Sequence, residues 1–280
     1  PLGEHHIAGD PAQVMFSSDG MFDTILPPGE YIAIASRGFE YEIHESQPFT
    51  VTEDSHHDIE LQVIRSVDTS GWVGADFHVH SQRSHDSGTS LSSRVLTMAS
   101  EGVEFLASSD HDFLTNYAPI IHDLDLEPWL SSTVGTEVTT IEIRHFLGFP
   151  LQPDYLANAN GALAWDGLTP QQIVDGVRDL GSTPTVEPVV FVGHPRDGIL
   201  GYFDQYGLSH FTSENGDVVV ESGLLQQVSG NDLLDPGLFT MDFDAMEVLC
   251  CKRFEEIRTP TQPEMEAFIA DPDSVTLHDM

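Results

Sequence analysis

Lysine is almost missing from this 280-residue chain. Lys252 is the only one among ten basic residues, the other nine being arginines, against 46 acidic residues and a formal charge of −36. Nothing here could neutralise a run of phosphates, which excludes nucleic-acid binding; docking on anionic lipid fails for the same reason. Cysteine is scarce too. The two present, Cys250-Cys251, are adjacent, and sequence neighbours rarely reach disulfide geometry, so no disulfide framework is implied. No apolar run approaches the about 18 residues of a membrane span. The chain begins at Pro1 without a methionine, so a missing leader tells nothing about compartment and localisation stays open. Hydrophobic and aromatic residues are not lacking, at 40% and 9%, enough to build cores despite a charge that favours disorder. A folded, acidic, lysine-poor chain fits a saline habitat, where screening tolerates self-repulsion.

Residues 1–70 read as an all-β accessory domain. Tyr31-Ile32-Ala33-Ile34-Ala35, Gln47 to Thr52 and Ile59 to Val63 are β-branched or aromatic runs separated by polar turns, the pattern of a small sandwich. From 71 to 280 the rhythm becomes strand, loop, helix. Strands are expected at Trp72 to Val79, Val103 to Ala107, Thr133 to Glu137, His145 to Phe149, Val189 to Val192 and Phe243 to Leu249. One helix is expected between a cap at Thr89 or Ser90 and a stop at Gly102. A second is expected from Thr169-Pro170 to Gly181. Alternating β and α elements predict a parallel sheet or barrel.

Seven of the 14 histidines fall between positions 78 and 194, and they gather at strand ends. His78 and His80, two apart on a strand, share a face and can hold one metal ion or two neighbouring ones. His85 and Asp86 follow in the loop; Asp110-His111 comes after the second strand, Glu137 ends the third, and His145 and His194 sit at later strand ends. In a parallel barrel such ends converge on one face. Imidazoles and carboxylates without thiolates suit zinc, manganese or iron.

Asp76-Phe77-His78-Val79-His80-Ser81, Ser84-His85-Asp86-Ser87, Ser109-Asp110-His111-Asp112, Gly135-Thr136-Glu137 and Gly193-His194-Pro195-Arg196 resemble motifs of the PHP (polymerase and histidinol phosphatase) superfamily, in particular its CehA/McbA-type metallohydrolases. Leu26 to Tyr31, Ser36 to Tyr41, Leu114 to Tyr117, Gly201 to Asp204 and Phe243 to Val248 are similar as well. The resemblance implies a β-sandwich followed by a distorted (β/α)7 barrel holding two or three divalent metal ions. By motif, His78, His80, His111, Glu137, His145 and His194 would be ligands, with a further one at His85 or Asp86, the latter favoured. Glu137 would bridge two metals, and Asp76 and Asp110 would orient imidazoles through the other ring nitrogen. The family's last Asp-x-His pair has no counterpart: the chain ends His278-Asp279-Met280. The expectation is therefore a C-terminally incomplete barrel with reduced metal occupancy.

The chemistry this implies is attack by a metal-bound hydroxide on a phosphoester, or on a carboxyl or carbamate ester, of a small molecule. Glu137, Asp110 and Arg196 are its candidate catalytic residues. Arg83 and Arg196 are candidate partners for a phosphate or oxyanion, each with surface pairing as the alternative, and Tyr202 is a candidate pocket residue. Three other readings stay open. One is an inactive domain that only binds metal or a partner. Another is an amidohydrolase-type C–N hydrolase, for which Lys252 is the only lysine. The third is a binding role for the front domain, which is otherwise a brace. Oligomeric state is left open.

Overall fold

The computed structural model describes residues 13–181, 186–197, 200–212, 218–220 and 229–248. Lys252, Cys250-Cys251 and the terminal His278-Asp279-Met280 lie outside the described residues. The described chain is a mixed α/β structure of several sheets.

The front segment forms two ribbons. β1 (Gly29–Tyr31) pairs antiparallel with β4 (Phe49–Val51), and β2 (Ile34–Ala35) with β3 (His44–Glu45). The run expected as one strand from Tyr31 to Ala35 is broken at Ile32-Ala33, where the Ala33 N–H turns to the Ser46 hydroxyl. Ile59 to Val63 is not a strand, although the adjoining Tyr41 and Arg65 form a bridge. No described side chain before Val79 is buried, so these residues do not make a sandwich with a core of its own. They are held instead to the next part of the chain. The Arg37 guanidinium lies 4.4 Å from the Trp129 ring and 5.3 Å from that of Tyr41, a cation–π clamp. At Gly38, with φ +68°, a Cβ would fall 1.9 Å from the Glu101 carbonyl oxygen; only glycine allows that approach.

β5 (Ala75–Val79), β6 (Phe105–Ser108) and β7 (Ser131–Thr133) form a parallel sheet in that order. α1 (Leu91–Ser100) connects the first two, its Ser90 cap accepting from the Ser93 N–H. α1 and α2 (Ala118–Asp123) cover this sheet, burying Val95, Leu106, Tyr117 and Ile121. The expected strand from Thr133 to Glu137 is split at Val134-Gly135, and Gly135 is squeezed so tightly that a Cβ would come within 2.5 Å of the Ser108 carbonyl oxygen.

The second sheet departs from the all-parallel expectation. β8 (Thr136–Thr139), β9 (His145–Phe149) and β10 (Val189–Val192) run antiparallel to their neighbours, and only β13 (Ala245–Met246) lies parallel to β10. Chain length dictates the reversal between β8 and β9: the loop 140–144 is far shorter than the dozen residues a parallel crossover needs. α3 (Pro170–Leu180) packs Ile173, Val174 and Val177 on this sheet. Its N-terminus is fixed by a reciprocal capping box between Thr169 and Gln172. α4 (Tyr202–Gln205) and the hairpin of β11 (Leu208–Thr212) and β12 (Val218–Val220) follow. No helix among the described residues is long and apolar enough to cross a membrane.

Candidate metal centre

Both sheets send side chains to one point. From the first come His78 and His80, at the end of β5, and His111, just after β6. From the second come Glu137 on β8, His145 at the start of β9 and His194 just after β10. Because β9 runs backwards, its first residue rather than its last reaches this rim. His111 and Glu137 also form a parallel bridge that ties the sheets together.

Glu137 is the hub. Its side chain is 1% exposed, and its two oxygens face different histidines. Oε2 lies 3.0 Å from His78 Nε2, 3.1 Å from His80 Nε2 and 3.3 Å from His111 Nδ1. Oε1 lies 2.6 Å from His145 Nδ1 and 3.5 Å from His194 Nε2. Two donors on a tetrahedral ion with bonds of about 2.1 Å stand roughly 3.4 Å apart, so this is the spacing of atoms that share a cation. Hydrogen bonding leaves part of the cluster unsatisfied. Glu137 Oε1, despite its closeness to His145, and His194 Nδ1 are buried without a hydrogen-bond partner, a state that costs free energy unless a cation or water answers it.

Among the described residues, three overlapping groups could hold a metal ion: His78, His80 and Glu137; His80, Asp86 and His111; and His111, Glu137 and His145. Asp86 Oδ1 is 3.5 Å from His80 Nδ1 and Oδ2 is 3.4 Å from His111 Nε2. His85 instead stacks its ring on His111, centroids 4.5 Å apart. Between the two candidates in that loop, the geometry favours Asp86.

Charge follows from this packing. Burial alone would push the Glu137 carboxyl up, but contacts with His145, His194, His78 and His80 hold it well below the usual carboxylate range. Burial opposes protonation of His78 as well; the carboxylates of Glu137 and Glu247 on its two ring nitrogens outweigh that and push it up to about 10. His111 goes the other way, to about 4, through burial and the neighbouring imidazoles of His80 and His145 against Glu137 and Asp86.

The backbone is strained around the same cluster. Asp112 (φ 52°), Arg144 (φ 85°) and His194 (φ 31°) adopt left-handed or near-left-handed conformations without being glycine. Each is a candidate ligand or adjoins one. Such strain persists only where surrounding structure over-determines it. Here Thr139 N–H donates to Asp112, the Thr140 hydroxyl accepts from Arg144 N–H, and Glu247 accepts from His194 N–H.

The groups that hold the imidazoles differ from those expected. Asp110 is fully buried, but its carboxylate accepts from the Ser81 N–H, the Ser81 hydroxyl and the Thr115 hydroxyl. It ties the loop after β5 to the loop after β6 rather than orienting a ring. Asp76 accepts from the His78 backbone N–H. The ring partners are Ser84 on His80 Nδ1 at 2.9 Å, Thr139 on His111 Nδ1, and Glu247 on His78 Nδ1 at 2.5 Å. Ser84 and Glu247 lie in segments that carry the resemblance, but the sequence alone assigns none of the three a role. Arg196, expected at the reacting group, is paired with Asp204 at 3.2 Å and lies over Phe203. Arg83 lies over the Phe113 ring, 5.3 Å from its centroid. Tyr202 is wholly buried, its hydroxyl accepting from the Thr240 N–H and donating to the Thr240 carbonyl, so it lines no pocket.

No protein-family model matches this chain, and no curated protein does. Among solved structures, it is similar to a two-domain protein from Bacteroides vulgatus described as containing a predicted PHP-like metal-dependent phosphoesterase. The identity is 18%, the TM-score 0.31, and the match covers 51% of this chain and 40% of that one. The matched part is thus less than half of that protein, and the case for function rests on the cluster itself.

Proposed function

We propose that this chain is a metal-dependent hydrolase of the PHP type, acting on a small phosphoester, with residues 71–280 as its catalytic domain and 1–70 as an accessory brace. One observation carries the reading: the buried Glu137 carboxylate presents one oxygen to His78, His80 and His111 and the other to His145 and His194. That is the arrangement expected of a carboxylate shared by two divalent ions. The orphaned Oε1 and the donor spacing fit such ions, and the all-nitrogen-and-oxygen donor set suits zinc, manganese or iron. When bound, they supply Lewis acidity and water acidified towards pH 7.

The protein's own residues do the rest. Glu137, ionised and rigid, fixes the separation of the two halves of the site. The neutral His111 offers a lone pair without first losing a proton. Ser84 and Thr139 hold the rings of His80 and His111 in place. Arg83, on the loop between His80 and Asp86, is the residue we assign to the substrate's phosphoryl oxygens, because a guanidinium fork matches them and Arg196 is engaged by Asp204. Carboxyl and carbamate esters are the second substrate class to test.

The test is elemental analysis of the purified protein together with hydrolysis of p-nitrophenyl phosphate, bis-p-nitrophenyl phosphate, p-nitrophenyl acetate and a p-nitrophenyl carbamate. We expect transition-metal ions bound at the Glu137 cluster and turnover of the phosphate substrates. Metal without turnover of any substrate would make this a binding module; no metal would end the hydrolase reading.

A further inference from the structure

The geometry points to Glu247 as a positioning residue of the metal centre, one that orients two ligands by acting on both at once. This rests on the metal-dependent reading above. Glu247 follows β13, and its backbone N–H continues the pairing with β10 by donating to the Val192 carbonyl. That register delivers its carboxylate to the cluster. Oε1 takes His78 Nδ1 at 2.5 Å, and Oε2 accepts from the His194 backbone N–H at 2.7 Å.

Each contact has a distinct consequence. A carboxylate on Nδ1 fixes the tautomer and the plane of His78, so that Nε2 is the atom turned towards Glu137, 3.0 Å away. It also makes that nitrogen a stronger donor to a metal. The second contact secures His194 in its positive-φ conformation, which aims Nε2 at His145 and Glu137. His78 belongs to the first sheet and His194 leaves the second, and β5 and β13 are each an edge strand of their sheet. Glu247 is therefore a side-chain clasp across the gap between two sheet edges. Its side chain is only 16% exposed, and the partly desolvated setting strengthens both bonds.

An amide cannot replace it. Glutamine has one acceptor oxygen and can serve His78 or His194, not both. In E247Q we expect Mn2+ affinity, measured by chelator competition, to fall by about 10- to 100-fold, and the absorption bands of the Co2+-loaded protein to change. The thermal midpoint of the chelated protein should fall as well, because the pair with His78 loses its charge, so the metal readouts are the ones that decide. Unchanged affinity and unchanged Co2+ bands, with or without a lower midpoint, would reduce Glu247 to a structural contact and overturn the assignment. A second measurement needs no variant. In the Zn2+-loaded wild type, long-range 1H–15N correlation should show His78 protonated at Nδ1 and metal-bound through Nε2. Ligation through Nδ1, or a free ring, would overturn the assignment even if E247Q fails to fold. Failure of the wild type to bind any of these metals would instead sink the underlying hydrolase reading.

Discussion

Replacing Glu137 by glutamine removes one charge and almost no volume. The side chain is 1% exposed and touches five imidazoles at 2.6–3.5 Å, so the change is confined to electrostatics and ligation. If each oxygen bonds a separate ion, each ion loses part of its anionic partner. Loss of a mere outer partner costs a metal site about 10–100-fold in affinity. A shared ligand lost to both ions should cost at least that at each, roughly 10²–10⁴ for full loading, or about 3–6 kcal/mol at about 1.4 kcal/mol per decade. The assay is competition against a graded series of chelators, read as ions per chain, with circular dichroism to confirm the fold. The reasoning predicts that E137Q keeps at most one ion under conditions where the wild type keeps the two that Glu137 would share. If E137Q binds the same number with the same affinity, Glu137 bridges nothing, and the division of the cluster into two halves is wrong.

Three further expectations are independent of that one. His78 has its pKa raised to about 10, so its protonated form stabilises the chelated protein fully below the usual value near 6.5, and that stabilisation is lost as pH rises through about 10. Metal must displace this proton, so apparent affinity should increase with pH between 7 and 9, by about tenfold per unit, with about one proton released per chain; calorimetry in buffers of different ionisation enthalpy would expose a pH-independent affinity that contradicts this. R83Q should raise KM for a phosphomonoester by about 10- to 100-fold, the worth of a charge-assisted hydrogen bond, while R196Q leaves it unchanged; steady-state kinetics showing the reverse would exchange the two roles. A Cβ at Gly193 would lie 2.7 Å from Leu147 Cδ1, 3.6 Å from His78 Cε1 and 3.7 Å from Glu137 Oε1, so G193A should cost about 1–3 kcal/mol of stability and weaken metal binding besides; a wild-type melting curve with wild-type affinity would show that the cradle has slack.

The sequence was most legible where one strand carried its own chemistry. His78 and His80 share a strand face by simple alternation, and His111, Glu137 and His194 follow or end short apolar runs whose burial could be anticipated. α3 announced itself by Thr169, Pro170 and Gly181. The less legible parts depend on contacts between residues far apart in the chain. Glu247 and His78 are 169 residues apart, and no local pattern distinguishes a carboxylate that reaches an imidazole from the many that face water. Asp110 precedes a candidate ligand and looked like its orienter, yet two hydroxyls and a backbone N–H claim it first. The direction of β9 was written in the short 140–144 loop, but strand–helix alternation elsewhere masked it. In the front segment the alternation of apolar residues promised a sandwich, and ribbons too short to bury a core formed instead.

Because the candidate ligands are divided between two sheets, ions bound there would act as rivets as well as reagents. A molecule that loses them would lose a cross-link between its halves at that rim, beside the His111–Glu137 bridge that remains, and the open population, which is what a protease samples, would rise exponentially with the binding free energy forfeited. Cargo and lifetime would then be linked: well-loaded copies persist and empty ones are cleared first. The cluster would in this way serve as a quality mark that decides which copies of the chain accumulate.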